Sequence, residues 1–240
     1  MIAAACAAPG TASAGRTYYG WLYGTEVMPE RGAEIQTFVS EENILTHEAR
    51  ASDSDWWFAP AIGINDQLEL VLPVEMDWTV SDDQGPRFTF VNYGAELRYR
   101  LVTQDPTDKP AFAPLVRIAL KRVVTGGRDT WQPEGDIVAS YDVTRVQLLA
   151  DVGVIADLSS ELTHFELHPG FGVSVLTVSS LRFGAEAFGE IDLDNNGGRS
   201  WAAAGPNIAW SHGRTWLSAA YGIGIYAIRD APKINWGIAF

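Results

Sequence analysis

Two histidines and a glutamate, His164, Glu166 and His168, occupy alternate positions in the stretch HFELH. Alternate residues of a β-strand lie on one face, so these side chains could offer nitrogen and oxygen ligands to a metal ion. They would be about 6.6 Å apart per two-residue step, so a single ion would need help from a neighbouring strand, for example from Glu186 and Glu190. The stretch has no recognised ligand spacing. We therefore predict a polar network here, with no metal and no cofactor.

A second candidate cation site is the segment 192–197, DLDNNG, which matches the first half of a calcium-binding loop. The twelfth position of such a loop would be Ala203 and not a bidentate glutamate, which excludes an EF-hand. Asp, Asn and Gly are also the residues that turns require. The sequence predicts a turn at this segment and leaves calcium binding open.

These residues lie in a chain that alternates apolar and polar side chains almost throughout. The clearest case is 67–80, QLELVLPVEMDWTV, where apolar residues from Leu68 to Val80 share one face and carboxylates lie on the other. The same period recurs elsewhere, and each segment is near the 9–11 residues of a tilted membrane-spanning strand. Segments with this pattern are 87–101, 111–121, 164–175 and 181–191, with further candidates at 32–40, 54–63, 137–149, 201–211, 215–228 and 233–240.

The stretch 137–158 contains two strands whose connecting turn the sequence does not place, which brings the count to about twelve. Tight turns are predicted at 64–66, 177–180 and 212–214, and longer polar loops at 41–53, 122–136 and 192–200. Short turns on one side and long loops on the other are typical of outer-membrane barrels. We predict an all-β fold, an antiparallel up-and-down transmembrane β-barrel of about twelve strands.

Charged residues share the face opposite the apolar one, and in a membrane barrel that face lines the lumen. A soluble sandwich or lipocalin-like barrel also alternates, but it would bury its apolar face and show its charges to water. We expect neutral substitution of an inner charge such as Arg117 to cost less stability than a charge placed on the lipid-facing side. The predicted lumen-facing residues are Glu69, Glu75, Asp77, Glu96, Arg98, Arg100, Arg117, Lys121, His164, Glu166, His168, Arg182, Glu186 and Glu190.

The end of the chain, KINWGIAF, alternates Ile234, Trp236, Ile238 and Phe240 on one face. Here the sequence resembles bacterial outer-membrane β-barrels, whose last strand typically ends in phenylalanine and is read by the barrel-assembly machinery. The resemblance covers the strand-and-loop plan from about residue 31 to residue 240. It implies an outer-membrane location, with membrane lipids, lipopolysaccharide and the assembly machinery as partners, and Trp236 and Phe240 as the assembly signal.

The first thirty residues stand outside this plan. Residues 1–14 are small, apolar and uncharged, which predicts a signal-peptide remnant with Ala12-Ser13-Ala14 as its cleavage box. Lipidation of Cys6 is an alternative that lacks the usual leucine. Residues 15–30 are predicted to form a periplasmic N-terminal segment, and residues 31–240 the barrel.

Composition narrows the function classes. The 17 Lys and Arg against 30 Asp and Glu give a net charge of -13, so we expect no nucleic-acid partner. The single cysteine rules out a disulfide framework and a thiolate metal cluster. The sequence contains no run of 18 or more apolar residues, so it predicts no transmembrane helix.

An embedded enzyme is the rival class to a passive barrel. Outer-membrane phospholipases resemble this chain in size and strand number, but they place a serine two residues after their histidine. Outer-membrane proteases use loop acids that Asp82-Asp83 could imitate, although adjacent acids in loops are usually solvated. We predict no enzyme, because the residues two positions after the four histidines are Ala49, Glu166, Gly170 and Arg214.

The mixed charges of the inner face favour a passive pore or transporter for small solutes. Acidic loops leave a structural or surface-interaction barrel as the alternative, and a lipid-modifying enzyme or protease comes third. Architecture alone does not choose between these.

Overall fold

The computed structural model describes residues 17–45, 51–81, 85–103, 111–125, 130–160, 163–194 and 200–240, and nearly all of them lie in β-strands. The strands are β1 (Ala33–Ile44), β2 (Ala51–Gly63), β3 (Leu68–Val71), β4 (Val74–Ser81), β5 (Gly85–Arg100), β6 (Phe112–Val123), β7 (Thr130–Val143), β8 (Val146–Leu158), β9 (Thr163–Val178), β10 (Leu181–Asp192), β11 (Trp201–His212), β12 (Thr215–Tyr226) and β13 (Ile228–Ala239). In this part of the chain, no helix is long and apolar enough to cross a membrane.

Consecutive strands pair antiparallel, and β13 pairs with β1, so the sheet closes on itself. β3 and β4 are two halves of one strand, because both lie between β2 and β5. The interruption falls at Leu72-Pro73, where proline has no amide hydrogen to give to the ladder. Leu72 still donates to the Pro60 carbonyl and the Pro73 carbonyl still accepts from Gly94, both at 3.0 Å. The barrel therefore has twelve strands, as the sequence predicts.

The two ends of the barrel differ in their connections. The predicted turns at 64–66, 177–180 and 212–214 lie at one end, together with the turn at Thr144-Arg145 that divides 137–158 into β7 and β8. We call this the short-turn end, which faces the periplasm in barrels of this kind. One longer connection, 101–111, is also at this end, and at the opposite end Ala227 alone joins β12 to β13 with a φ of 54°.

The strands reach further toward the long-loop end than the sequence predicts. The loop predicted at 122–136 is wrong in its second half, because β7 already begins at Thr130 and pairs with β6 along its length. Two acids in that half, Glu134 and Asp136, are therefore wall residues and not solvated loop charges. The predicted loops 41–53 and 192–200 are likewise shortened by β1, β2 and β10.

The surface of the barrel is inverted relative to a soluble protein. On β6, Ile118 is 55% exposed while its neighbour Arg117 is 2% exposed. The same contrast holds for Leu70 and Glu69 on β3, where the glutamate is fully buried and the leucine reaches the outside. Apolar side chains thus point outward around the barrel and charged ones point into the lumen, which is the arrangement that a bilayer requires.

Residues 17–28, which we call the inner segment, lie inside the barrel. The sequence predicts a periplasmic segment over 15–30, and the structure differs: Tyr19 is fully buried and Leu22 and Val27 nearly so, against residues of the inner wall. A twelve-stranded barrel is too wide for wall side chains to fill. Folding inward removes the apolar side chains of the segment from water, which an extended periplasmic position would not do. The predicted signal-peptide remnant lies outside the described residues.

Candidate functional site

The lumen wall carries a dense network of ion pairs centred on Arg117. Its guanidinium contacts Glu96 at 2.8 Å, Glu134 at 2.5 Å and Asp136 at 2.5 Å, and stacks 4.4 Å from the ring centroid of Tyr23. Because β5, β6 and β7 are consecutive neighbours, their inward side chains form one continuous row. Charges buried in this way need partners, and here each described basic group of the row has at least one.

Two further cations extend the network on either side. Arg98 pairs with Glu96 and, at 3.5 Å, with Glu69, which lies directly opposite on β3. Lys121 contacts Glu134 at 2.6 Å and Glu75 at 3.8 Å. Acidic and basic ladders therefore face each other across adjacent strands, as expected for a meander.

The structure places the remaining predicted lumen residues on the inner face as well. Asp77 lies opposite Asp55, whose side chain lines the lumen. Arg100 reaches Glu26 of the inner segment at 2.7 Å, and Arg182 lies 4.1 Å from the ring of Tyr18.

The histidine stretch forms the polar network that the sequence predicts. His164 bonds to Glu166 at 2.9 Å, and the other oxygen of Glu166 lies 3.6 Å from His168. Glu190 extends the row, 4.0 Å from the second nitrogen of His168. Glu186 is not part of this histidine network. Its carboxylate accepts hydrogen bonds from backbone amides of the inner segment.

The wall holds the inner segment through its backbone. Glu186 accepts hydrogen bonds from the amides of Gly20 at 3.0 Å and Trp21 at 3.1 Å, and Asp151 accepts from Tyr23 at 3.0 Å. Glu69 accepts from the Met28 amide at 2.6 Å. Wall side chains thus replace the strand partners that this segment lacks.

Trp21 is the centre of a narrow level of the lumen. Its ring stacks on Phe188 with centroids 4.8 Å apart, and Lys233 places its ammonium 4.6 Å from the Trp21 ring and 3.8 Å from that of Phe38. Phe38 in turn stacks on Trp57. We call the set Trp21, Phe38, Trp57 and Lys233 the girdle.

Two cavities meet at the girdle, since all four of its residues line both. The larger, of about 210 Å³, reaches Glu42 and Glu190 near the long-loop end, and we call it the vestibule. The smaller, of about 60 Å³, reaches Glu26 and Arg98 toward the short-turn end. The girdle therefore separates an outer compartment of the lumen from an inner one.

Several lumen residues are missed by the sequence reasoning. Glu134 and Asp136 lie at the same parity as Val138 and Ser140, so the period of the predicted strand that starts at residue 137 extends back through both acids. Lys233 belongs to a predicted strand, but nothing in its local sequence indicates that it lies against Trp21. Asp151 likewise has no local signal for its partner, Tyr23, which is 128 residues away.

No protein-family model matches the sequence, and no curated protein matches it. Solved structures do match. The COG4313 outer membrane channel from Pseudomonas putida F1 has a TM-score of 0.63 at 8% identity, covering 90% of this chain and 98% of that one. The β domain of the Bordetella autotransporter BrkA has a TM-score of 0.55 at 12% identity, covering 87% and 99%. The NanC porin has a TM-score of 0.54 at 7% identity, covering 87% and 98%.

The chain has the fold of bacterial outer-membrane β-barrels. The apolar outer surface agrees with this independently, because such a surface is stable against lipid and not in water. The outer membrane is accordingly the location of the protein. The neighbours include channels, porins and an autotransporter domain, so the fold is shared by proteins with different activities.

Proposed function

We propose that the protein is a passive outer-membrane pore for small solutes, with a preference for cations. The observation that supports this most directly is the charge of the vestibule. Among its described lining residues, seven are acidic and three are basic. The acidic ones are Glu42, Asp55, Glu75, Glu134, Asp136, Asp151 and Glu190, and the basic ones are Arg117, Lys121 and Lys233.

The pairing of these charges strengthens the preference. Arg117 and Lys121 contact three of the seven acids, and the paired charges cancel much of one another's field. Four acids then remain against Lys233. Lys233 lies at the floor of the vestibule, with its ammonium against the rings of Trp21 and Phe38. The acids near the mouth therefore dominate the field that an entering ion meets, since low-dielectric walls focus it.

A route through the barrel passes the girdle. Three of its four residues belong to wall strands, and the fourth, Trp21, belongs to the inner segment. Because the segment adds no strand to the sheet, it can shift without breaking any ladder hydrogen bond of the barrel. A rotation of the Trp21 side chain would break its indole bond to the Ala231 carbonyl and connect the two cavities while every strand pairing of the barrel is kept.

We also propose that the barrel is not an enzyme. The lumen histidines His164 and His168 are engaged with carboxylates. Among the described residues, neither is hydrogen-bonded to a hydroxyl or thiol that it could activate as a nucleophile.

Selectivity in planar bilayers tests the pore. We expect the reversal potential across a KCl gradient to show cation preference, and the double change Glu42→Gln with Asp55→Asn to reduce it, because both carboxylates line the vestibule. The matched control is Asp142→Asn, an exposed carboxylate at the short-turn end. Anion selectivity, or an equal shift in the control, would contradict the proposal. A barrel that stays sealed even as Trp21→Ala would favour a structural or surface-interaction role.

A further inference from the structure

Three potential metal ligands meet at the long-loop mouth of the barrel. One ligand atom each from His164, Asp192 and Asp194 lies within 4.8 Å of the others. The Nδ1 atom of His164 is 2.7 Å from Asp194 and 3.9 Å from Asp192. The three side chains are 10%, 6% and 21% exposed, so the cluster is largely shielded from water.

A fourth residue orients the imidazole. Glu166 bonds to the Nε2 atom of His164 at 2.9 Å, on the far side of the ring from the aspartates. When Nε2 carries the proton and donates it to Glu166, Nδ1 presents its lone pair to Asp192 and Asp194. A carboxylate behind a ligating histidine is the usual second layer of a metal site, where it fixes the tautomer and the ring.

The aspartates are also held in place by the backbone. The Phe165 amide donates to Oδ2 of Asp194 at 2.9 Å, which leaves Oδ1 directed at His164. The Asp194 amide donates to Asp192 at 3.0 Å and keeps the two carboxylates adjacent. The donor atoms are thus arranged by contacts that need no bound ion.

We propose that His164, Asp192 and Asp194 bind a divalent transition-metal ion, with Zn²⁺ as the best fit. One imidazole and two carboxylates are suitable ligands for Zn²⁺, and three protein ligands leave a position for water. Ca²⁺ prefers six to eight oxygen ligands, which this set does not supply. The sequence places His164 and the aspartates in two separate candidate sites, and the structure brings them together at the ends of two strands. Glu166 is then a positioning residue and not a ligand. The site is additional to the proposed pore.

Calorimetric titration of Zn²⁺ into the full-length barrel, refolded in detergent and treated with chelator, tests the site. We expect one ion per chain, and an affinity at least tenfold lower in His164→Ala, since that change removes the only nitrogen ligand. Glu166→Gln should weaken binding about tenfold to a hundredfold without changing the stoichiometry. His212→Ala, an exposed histidine at the short-turn end, is the matched control and should bind as the parent does.

Absence of Zn²⁺ binding, or an unchanged affinity in His164→Ala, would overturn the proposal. Equal competition by Ca²⁺ would also overturn it, because it would show attraction to acidic groups alone. If His164→Ala loses its heat-modifiable gel band, and so its fold, Asp194→Asn replaces it with the same expected loss. The titration needs no conductance, so this site and the pore can fail separately.

Discussion

At the scale of single residues, Arg117 shows how the lumen wall is stabilised. The sequence predicts that replacing it with a neutral residue costs little stability, and the structure changes that expectation. Arg117→Gln would leave Glu96, Glu134 and Asp136 buried beside one another without their shared cation. We expect a loss of about 3–5 kcal/mol in the free energy of unfolding, as when one partner of a buried ion pair is removed.

Urea unfolding of the reconstituted barrel measures this loss. Arg214→Gln is the matched control, because Arg214 is exposed in a tight turn, where substitutions usually stay within about 0.5 kcal/mol. Equal stability of the two variants would mean that the carboxylates do not depend on Arg117.

The sequence predicts which way these side chains point and not what they contact. Arg117 and Glu96 each alternate with apolar residues along their strands. This alternation shows which face a side chain is on without any knowledge of the neighbouring strand. The partners of each side chain depend on how neighbouring strands are aligned. For Arg117 that alignment involves the first half of β7, which the sequence predicts as a loop. The sequence predicts a polar loop over Glu134 and Asp136, and acidic residues are usually exposed, a tendency that a polar lumen reverses.

At the scale of elements, the inner segment is the part that sequence reasoning could not place. Residues 17–28 have no period, because each one meets a different part of the wall. Gly20 contacts Glu186 across 166 residues and Tyr19 accepts from Ser218 across 199. Such pairs are formed by the closed barrel, and no local propensity encodes them. What the sequence does show is an aromatic-rich stretch before the first strand, a composition suited to burial.

The segment also carries the movable part of the girdle, so we predict that Trp21→Ala raises single-channel conductance severalfold. The indole fills the space between Phe188, Trp201 and Lys233, and its loss would join the two cavities. Trp210→Ala provides the control, since this tryptophan points outward and is 41% exposed. Conductance that is equal in both variants would show that Trp21 does not limit the pore.

At the scale of the whole molecule, the fold follows from a repeated pattern and a closure. Each strand alone has a weak membrane signal, because its two faces average to near-neutral hydropathy. Twelve strands in register give the barrel one apolar outside and one polar inside, which explains why the strand number and orientation could be predicted from sequence. Closure depends on the pairing of β1 with β13, although Ile44 at the end of β1 and Ile228 at the start of β13 are 184 residues apart. The two strands pair in an unbroken register from Glu34 to Ser40.

Phe240 lies at that closing seam, which leads to the final prediction. The Phe240 amide donates to the Ala33 carbonyl at 2.8 Å, while its ring is exposed on the outside. Deleting Phe240 removes both the bond and the ring, whereas Phe240→Ala keeps the amide and removes the ring alone. If the ring is an assembly signal, both variants should give less folded barrel in cells, seen as loss of the heat-modifiable gel band. Both should refold from urea into detergent nearly as well as the parent, because one terminal bond contributes only about 1 kcal/mol.

Phe240→Tyr is the control for this experiment, since it preserves the aromatic ring and the amide. We expect it to assemble normally in cells. Full assembly of Phe240→Ala with failure of the deletion would assign the effect to the seam bond, because only the deletion loses the donor to Ala33. Full assembly of both would show that neither the ring nor the bond is needed, and that the outward row from Ile234 through Trp236 to Ile238 suffices to direct the last strand into the barrel.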